Sequence, residues 1–188
     1  MTEDGDAEDD AEDEAQDEAQ DDAEWVAGSL TRWINSVSFV DRSADEVTEL
    51  LIEAVVWWAQ EEGWRAYRKA RSVFPLPPPF EHRYSFVDVG IARRDCAPIV
   101  VEVDRSDRKR TLEKLVAEAE RGRVALWLRW GTGTFATPPA PVRLIPCRVE
   151  AHKDAEGHKV FSTPTLAKPA PRHSGVDLSQ AEQTDLFE

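Results

Sequence analysis

The sequence predicts an α/β domain whose elements run helix, three strands, helix, strand between two polar tails. Two long segments carry apolar residues at helical spacing, and the segments between and after them have the alternating or continuous apolar runs of strands. The chain has 188 residues, of which 41% are hydrophobic, so it is long enough for one domain with its own core.

Residues 1–24 are an acidic block with fourteen Asp or Glu and no Lys or Arg. This block accounts for the whole formal net charge of −14, so acids and bases are equal in number in the rest of the chain. A block of like charges cannot bury enough apolar surface to offset the entropy of ordering the chain, so we expect a disordered acidic tail. The tail would either solvate the protein or act as a DNA-mimicking or autoinhibitory arm.

Residues 25–163 are expected to fold. The segment "WVAGSLTRWINSV" is amphipathic and predicts a short helix that packs on the core. "SADEVTELLIEAVVWWAQEEGW" predicts a longer helix, with Ser43 as its N-cap and Gly63 as its end. "WRAYRKARSVF" then predicts the first strand, and the prolines of 75–79 impose an extended loop.

Two strands follow over about 84–93 and 98–104, joined by a short turn. "DRKRTLEKLVAEAERG" returns to helical spacing, and "RVALWLRW" predicts a fully buried strand. "VRLIPCRVEAHK" and "HKVFST" are expected to pair as an edge hairpin around "DAEG". Residues 164–188 are rich in Pro, Ser and polar residues and predict a flexible C-terminal tail.

The cysteines and the N-terminus predict a soluble cytoplasmic protein. Cys96 and Cys147 lie far apart without metal-ligand spacing, which fits a reducing compartment. The N-terminus is acidic where a secretory signal is basic, and no stretch approaches the ~20 apolar residues of a membrane span. We therefore expect no membrane partner.

Three carboxylates interrupt the two apolar strands of 84–104. Because strand side chains alternate between faces, Asp88 is expected on one face of its strand and Val87, Val89 and Ile91 on the other. Glu102 and Asp104 share one face of the next strand. If the strands pair as a hairpin, the three acids converge, and a hard divalent cation such as Mg²⁺ would relieve their repulsion. The alternative is that they are exposed and form surface ion pairs with neighbouring arginines, namely Arg93, Arg94, Arg105 or Arg108.

The element order over 44–130 and the segment "IVVEVDRSDRKRTLEKLVAEAERGRVALWLRW" resemble the PD-(D/E)xK nuclease superfamily. They are most similar to its branch related to very short patch repair endonucleases, which carries ExD instead of ExK. The resemblance implies a restriction-endonuclease-like core with a mixed central sheet. It also implies a DNA endonuclease dependent on Mg²⁺ or Mn²⁺ that acts in repair or replication. Asp88 and Glu102 would be metal ligands, and Asp104 would join them at the position of the usual lysine.

The resemblance leaves other roles to be assigned. Glu49 or Glu53 would match a helix glutamate of some members, and we favour Glu53. The positive charge of the missing lysine would come from Lys114, or from Arg108 or Lys109. The basic segment "RSDRKR" suits phosphate contacts, which makes four residues the expected DNA-binding set: Arg105, Arg108, Lys109 and Arg110.

The chain ends in "QTDLFE", which resembles the pentapeptide that binds the bacterial sliding clamp, the beta subunit. By that resemblance Gln183 would make polar contacts, Asp185 would fill the third position, and Leu186 and Phe187 would enter an apolar pocket. A flexible tether of this kind would hold the domain near DNA at a raised effective concentration.

Three functions therefore stand as expectations. The first is a metal-dependent DNA endonuclease tethered to the clamp. The second is a catalytically degenerate nuclease-like domain that binds DNA or the clamp, because the lysine of ExK is absent. The third is an acidic DNA-mimicking regulator, which only residues 1–24 support.

Overall fold

A five-stranded mixed sheet forms the centre of the protein, described for residues 4–164 in a computed structural model. The strands lie in chain order across the sheet, with β1 and β2 antiparallel, β2 and β3 antiparallel, and β3, β4 and β5 parallel. Their bounds are Arg65–Pro75 for β1, Tyr84–Ala92 for β2, Ile99–Asp104 for β3, Val124–Gly131 for β4 and Arg143–Arg148 for β5. The predicted order of helix, three strands, helix and strand is confirmed.

Three helices pack on this sheet: α1 over Asp4–Ser36, α2 over Ala44–Glu61 and α3 over Lys109–Ala119. The predicted N-cap is confirmed, since Ser43 and Glu46 form a reciprocal capping box at the start of α2. Gly63 follows the end of α2 with a φ of +76°, a left-handed conformation that favours glycine. Of the helices in the described part of the chain, none combines the length and apolar content that crossing a membrane requires.

Two apolar clusters cover the two faces of the sheet. The larger joins α1 and α2 to one face through residues such as Leu30, Leu51, Trp58 and Leu126. The smaller cluster lies on the other face and contains Leu115 of α3. Its other members come from β2, β3, β4 and the loop between β4 and β5: Val87, Val100, Ala125, Trp127 and Val142. Because β4 is covered on both faces, seven of its eight residues are buried, as the continuous apolar run predicts.

The acidic N-terminal segment differs from its expected disorder. Helix α1 runs without a break from Asp4 through the amphipathic segment to Ser36, and Val26 and Leu30 are fully buried. Ala, Glu and Gln are good helix formers, and acids near a helix N-terminus interact favourably with the helix dipole. The ordered packing begins at Asp22, whose carboxylate forms two bonds with the Arg93 guanidinium at 2.8 and 2.6 Å.

The end of the sheet also differs from the prediction. The segment expected to form one arm of a hairpin divides into two strands. Its first part is β5, which extends the main sheet parallel to β4. Only Glu150–Lys153 (β6) pairs with Lys159–Ser162 (β7), around the predicted turn. Sequence alternation does not distinguish these partners, because β5 pairs with β4 over a long loop.

We predict that Asp22→Ala lowers the free energy of unfolding by about 3 kcal/mol, the usual result of leaving a buried charge without its partner. The Arg93 side chain is only 3% exposed and also donates to the Ala97 carbonyl. Asp21→Ala is the matched control, since Asp21 is an exposed neighbour on the same helix. Urea unfolding of the three proteins measures the effect, and equal stability of both variants would contradict it.

Candidate functional site

The backbone pairing of β2 and β3 ends beside the predicted site. The register joins Ile91 to Ile99, Gly90 to Val100 and Val89 to Val101, and its continuation would place Asp88 opposite Glu102. Instead, the Asp88 carboxylate accepts a hydrogen bond from the Val103 amide at 3.0 Å. A side chain thus takes the place of a strand partner, and the two strands separate at this point.

A cleft of about 1060 Å³ lies where the strands separate, between α2 and α3. The three predicted carboxylates of Asp88, Glu102 and Asp104 all line this cleft, but their ligand atoms do not all lie within 4.8 Å of one another. Glu102 and Asp104 are buried, and the Asp88 side chain is 15% exposed. The predicted alternation fails at Val87, which packs with Leu115 instead of with Val89.

Each carboxylate has a cationic partner. Lys69 Nζ lies 2.6 Å from Asp88 Oδ1, and Lys114 Nζ lies 2.5 Å from Glu102 Oε1. Asp104 is 3.7 Å from Arg108 Nε. Asp104 pairs with one of the arginines that the alternative of surface ion pairs names, but it is buried and not exposed. The other two partners are lysines that the sequence did not assign to these acids.

Burial dominates the electrostatics of Glu102. It raises the pKa of Glu102 from the ordinary 4.5 to about 7, while the hydrogen bond and charge of Lys114 act in the opposite direction. The neighbouring carboxylates of Asp88 and Asp104 add to the rise. The cleft therefore holds a carboxylate whose ionisation depends on how well cations compensate it.

Lys69 is the site residue that the sequence analysis missed. Its φ is +53°, an uncommon conformation for a residue other than glycine, asparagine or aspartate, and its side chain is 66% exposed. The pairing with Asp88 raises the pKa of Lys69. A lysine in a strand rich in Arg and Lys carries no local sign of this role, since only the pairing of β1 with β2 places it beside Asp88.

The structure separates the two candidate glutamates of α2. Glu49 lines the cleft, whereas Glu53, which the sequence analysis favoured, lies one turn along α2 and lines an apolar groove with Trp57. Both glutamates pair with Arg68. Four residues advance a helix by about 6 Å, which is enough to remove Glu53 from the cleft.

The predicted basic residues divide into two groups. Lys114 and the DNA-binding candidates Arg105, Arg108 and Arg110 line the cleft. Lys109 does not, because its side chain points to solvent, 91% exposed, and pairs with Glu113. Arg110 is held in place by a 2.5 Å bond to the Pro75 carbonyl.

A second group of potential metal ligands lies in the turn between β6 and β7. Within residues 4–164, Asp154, Glu156 and His158 are the one set of three such side chains whose ligand atoms lie within 4.8 Å of one another. The turn itself accounts for this proximity, since Asp154 accepts hydrogen bonds from the backbone amides of the other two. These bonds lower the pKa of Asp154.

Comparison of the chain with protein-family models, with curated proteins and with solved structures found no match in any of the three.

The predicted clamp-binding residues Gln183, Asp185, Leu186 and Phe187 lie outside the described residues.

We predict that the free energy of unfolding falls by roughly 3 kcal/mol between pH 4.5 and 7 because of Glu102, at about 1.4 kcal/mol for each unit of its pKa shift. In this range the folded protein retains the proton of Glu102, whereas the unfolded chain releases it, so rising pH favours unfolding. Glu102→Gln removes the titration and leaves the shape of the side chain.

Urea unfolding in EDTA, repeated across this pH range for both proteins, isolates the contribution of Glu102. The difference in stability between the two proteins should change with pH. Parallel pH profiles would contradict the assignment.

Proposed function

We propose that the protein is a metal-dependent DNA endonuclease with a restriction-endonuclease-like core, acting in DNA repair or replication. The observation that supports this most directly is that Asp88, Glu102 and Asp104 line one cleft together with Lys69 and Lys114. Paired antiparallel strands supply the acids, and the helix after them supplies a lysine. The element order over 44–130 agrees with the same proposal.

The chemistry of the donors fits Mg²⁺ or Mn²⁺, since all three are carboxylates and the cleft is open to solvent on the side of Lys69. Asp88, Glu102 and Asp104 would hold the ion once their side chains move closer, since their ligand atoms do not all lie within 4.8 Å of one another in this structure. Such an ion would supply an activated water and stabilise charge on a scissile phosphodiester. In exchange, Lys69 would release Asp88, which its exposed and flexible side chain permits.

Lys114 would supply the positive charge that the lysine of ExK provides in related nucleases. It lies on α3, and its Nζ bonds both to Glu102 and to the Phe86 carbonyl at 2.7 Å. These two bonds hold the ammonium beside the carboxylates, where it would neutralise a phosphate oxygen or orient an attacking water. Arg105, Arg108 and Arg110 would contact the DNA backbone from the rim.

The second candidate function is a catalytically degenerate nuclease-like domain that binds DNA or the clamp. The three one-to-one pairings of the carboxylates with Lys69, Lys114 and Arg108 favour it, because they neutralise the cleft without an ion. Metal-dependent cleavage separates the two functions.

We predict that the purified protein cleaves DNA in Mg²⁺ or Mn²⁺ and that Asp88→Ala or Glu102→Ala abolishes this activity. Each change removes a proposed metal ligand and leaves the apolar clusters untouched, although Asp88→Ala also removes the acceptor of the Val103 amide. A gel assay on duplex, mismatched, flapped and single-stranded DNA measures the activity.

The matched control is Glu113→Ala, which removes an acid from the exposed side of α3, outside the cleft. It should cleave like the unmodified protein. Full activity in both cleft variants would exclude the proposed roles, and the absence of metal-dependent cleavage in the unmodified protein would favour the degenerate domain.

We also propose that the C-terminal motif tethers the domain to the bacterial sliding clamp. Leu186→Ala combined with Phe187→Ala should weaken clamp binding by about 3 kcal/mol, the usual contribution of two buried apolar anchors. Cleavage of free DNA should not change. Calorimetry with the clamp and a competing peptide of residues 180–188 measures the effect, and undiminished binding by the double variant would rule out the motif.

A further inference from the structure

Three aromatic side chains face solvent on the strands β1 and β2. Tyr67 is 53% exposed, Tyr84 is 51% exposed and Phe86 is 56% exposed. Phe86 lines the cleft that holds the carboxylates. Tyr67 pairs with Gly90 and lines a different groove. An exposed phenyl ring at the mouth of a charged cleft has no packing role in the described structure.

The register of these two strands places the relevant side chains on one face. Arg71 pairs with Phe86, so these two residues point the same way. Tyr84 joins them, since the Arg71 guanidinium lies over its ring, 3.1 Å from the centroid. Phe86 precedes Asp88 by two residues, which is roughly 7 Å along a strand. The aromatic pair Tyr84 and Phe86, here called the aromatic rim, thus adjoins the first carboxylate of the site.

Exposed cations flank the aromatic rim. Arg71 lies on the same face as the rim, Lys69 pairs with Asp88, and Arg108 lines the cleft with its side chain 70% exposed. Aromatic rings interleaved with such cations suit an unpaired nucleic-acid strand, because the rings stack on bases while the cations follow the phosphates. Paired bases in a duplex are already stacked on each other and offer no free face to a side chain.

We propose that the aromatic rim is a stacking platform for unpaired bases, so that the cleft receives single-stranded or frayed DNA. The inference rests on the proposed function for its DNA substrate, but it concerns binding and needs no cleavage. Phe86 would stack on the base next to the scissile phosphodiester. Tyr84, with Arg71 behind it, would hold the adjoining base.

The experiment measures binding in EDTA, where no divalent cation supports cleavage. Fluorescence anisotropy compares three labelled ligands: an oligothymidylate of about 12 nucleotides, an abasic strand with the same number of phosphates, and a blunt-ended duplex without a loop. The unmodified protein should bind the oligothymidylate about ten-fold more tightly than the abasic strand. Phe86→Ala should remove this difference, and Phe86→Trp should preserve it.

Tyr67→Ala is the matched control, because it removes an equally exposed ring from the paired strand β1, where it lines a different groove. It should bind like the unmodified protein. Equal binding of the oligothymidylate by Phe86→Ala and by the unmodified protein would overturn the proposal, as would equal binding of the abasic strand or tighter binding of the duplex. A cleavage assay in Mg²⁺ reports separately on the proposed function: stacking without cleavage contradicts the nuclease alone, and duplex cleavage without stacking contradicts the aromatic rim alone.

Discussion

The carboxylate of Asp88 occupies the position of a strand partner, and the shape of the site depends on that substitution. By accepting the Val103 amide, it satisfies a backbone donor that the separating strands would otherwise leave buried without a bond. The sheet can therefore open at this point without leaving that donor unsatisfied. The opening exposes the end of β3, where Glu102 and Asp104 lie, to the space between α2 and α3.

Bonds on both walls hold the opening in shape. On one side, the Trp130 indole donates to Thr48 of α2 at 3.2 Å. On the other, the buried Arg129 donates to the Asp104 carbonyl at 2.8 Å and pairs with Asp107 at 2.7 Å. The turn between β3 and α3 is thereby fixed, and with it the position of the arginines that follow. Polar groups of this kind are stabilising only because every one of them has a partner.

Sequence periodicity predicted the element order and the buried strand, because these follow from local spacing of 3.6 or 2 residues. It did not predict the partners of the carboxylates. Lys69 reaches Asp88 through the register of β1 and a left-handed backbone, and the preference between Glu49 and Glu53 depends on where α2 crosses the sheet.

The partners of β5 and α1 were also not predictable from local spacing. The pairing of β5 with β4 depends on a contact over a long loop, and the packing of α1 depends on the distant Arg93. The alternation of apolar and polar residues within a strand does not depend on which strand it pairs with, so it cannot identify the partner. For this reason β5 was predicted as a strand but assigned to the wrong partner.

The hydrogen bond from the Trp127 indole to Asp104, 3.1 Å long, gives the site its own spectroscopic label. The indole N–H can only donate, so its resonance responds to the charge on the carboxylate that accepts it. The chain has seven tryptophans, and Trp25 and Trp57 are exposed far more than the buried Trp127. In a nitrogen–proton correlation spectrum, their indole signals serve as internal references. A cation that enters the cleft is then visible through a single proton, independently of any reaction.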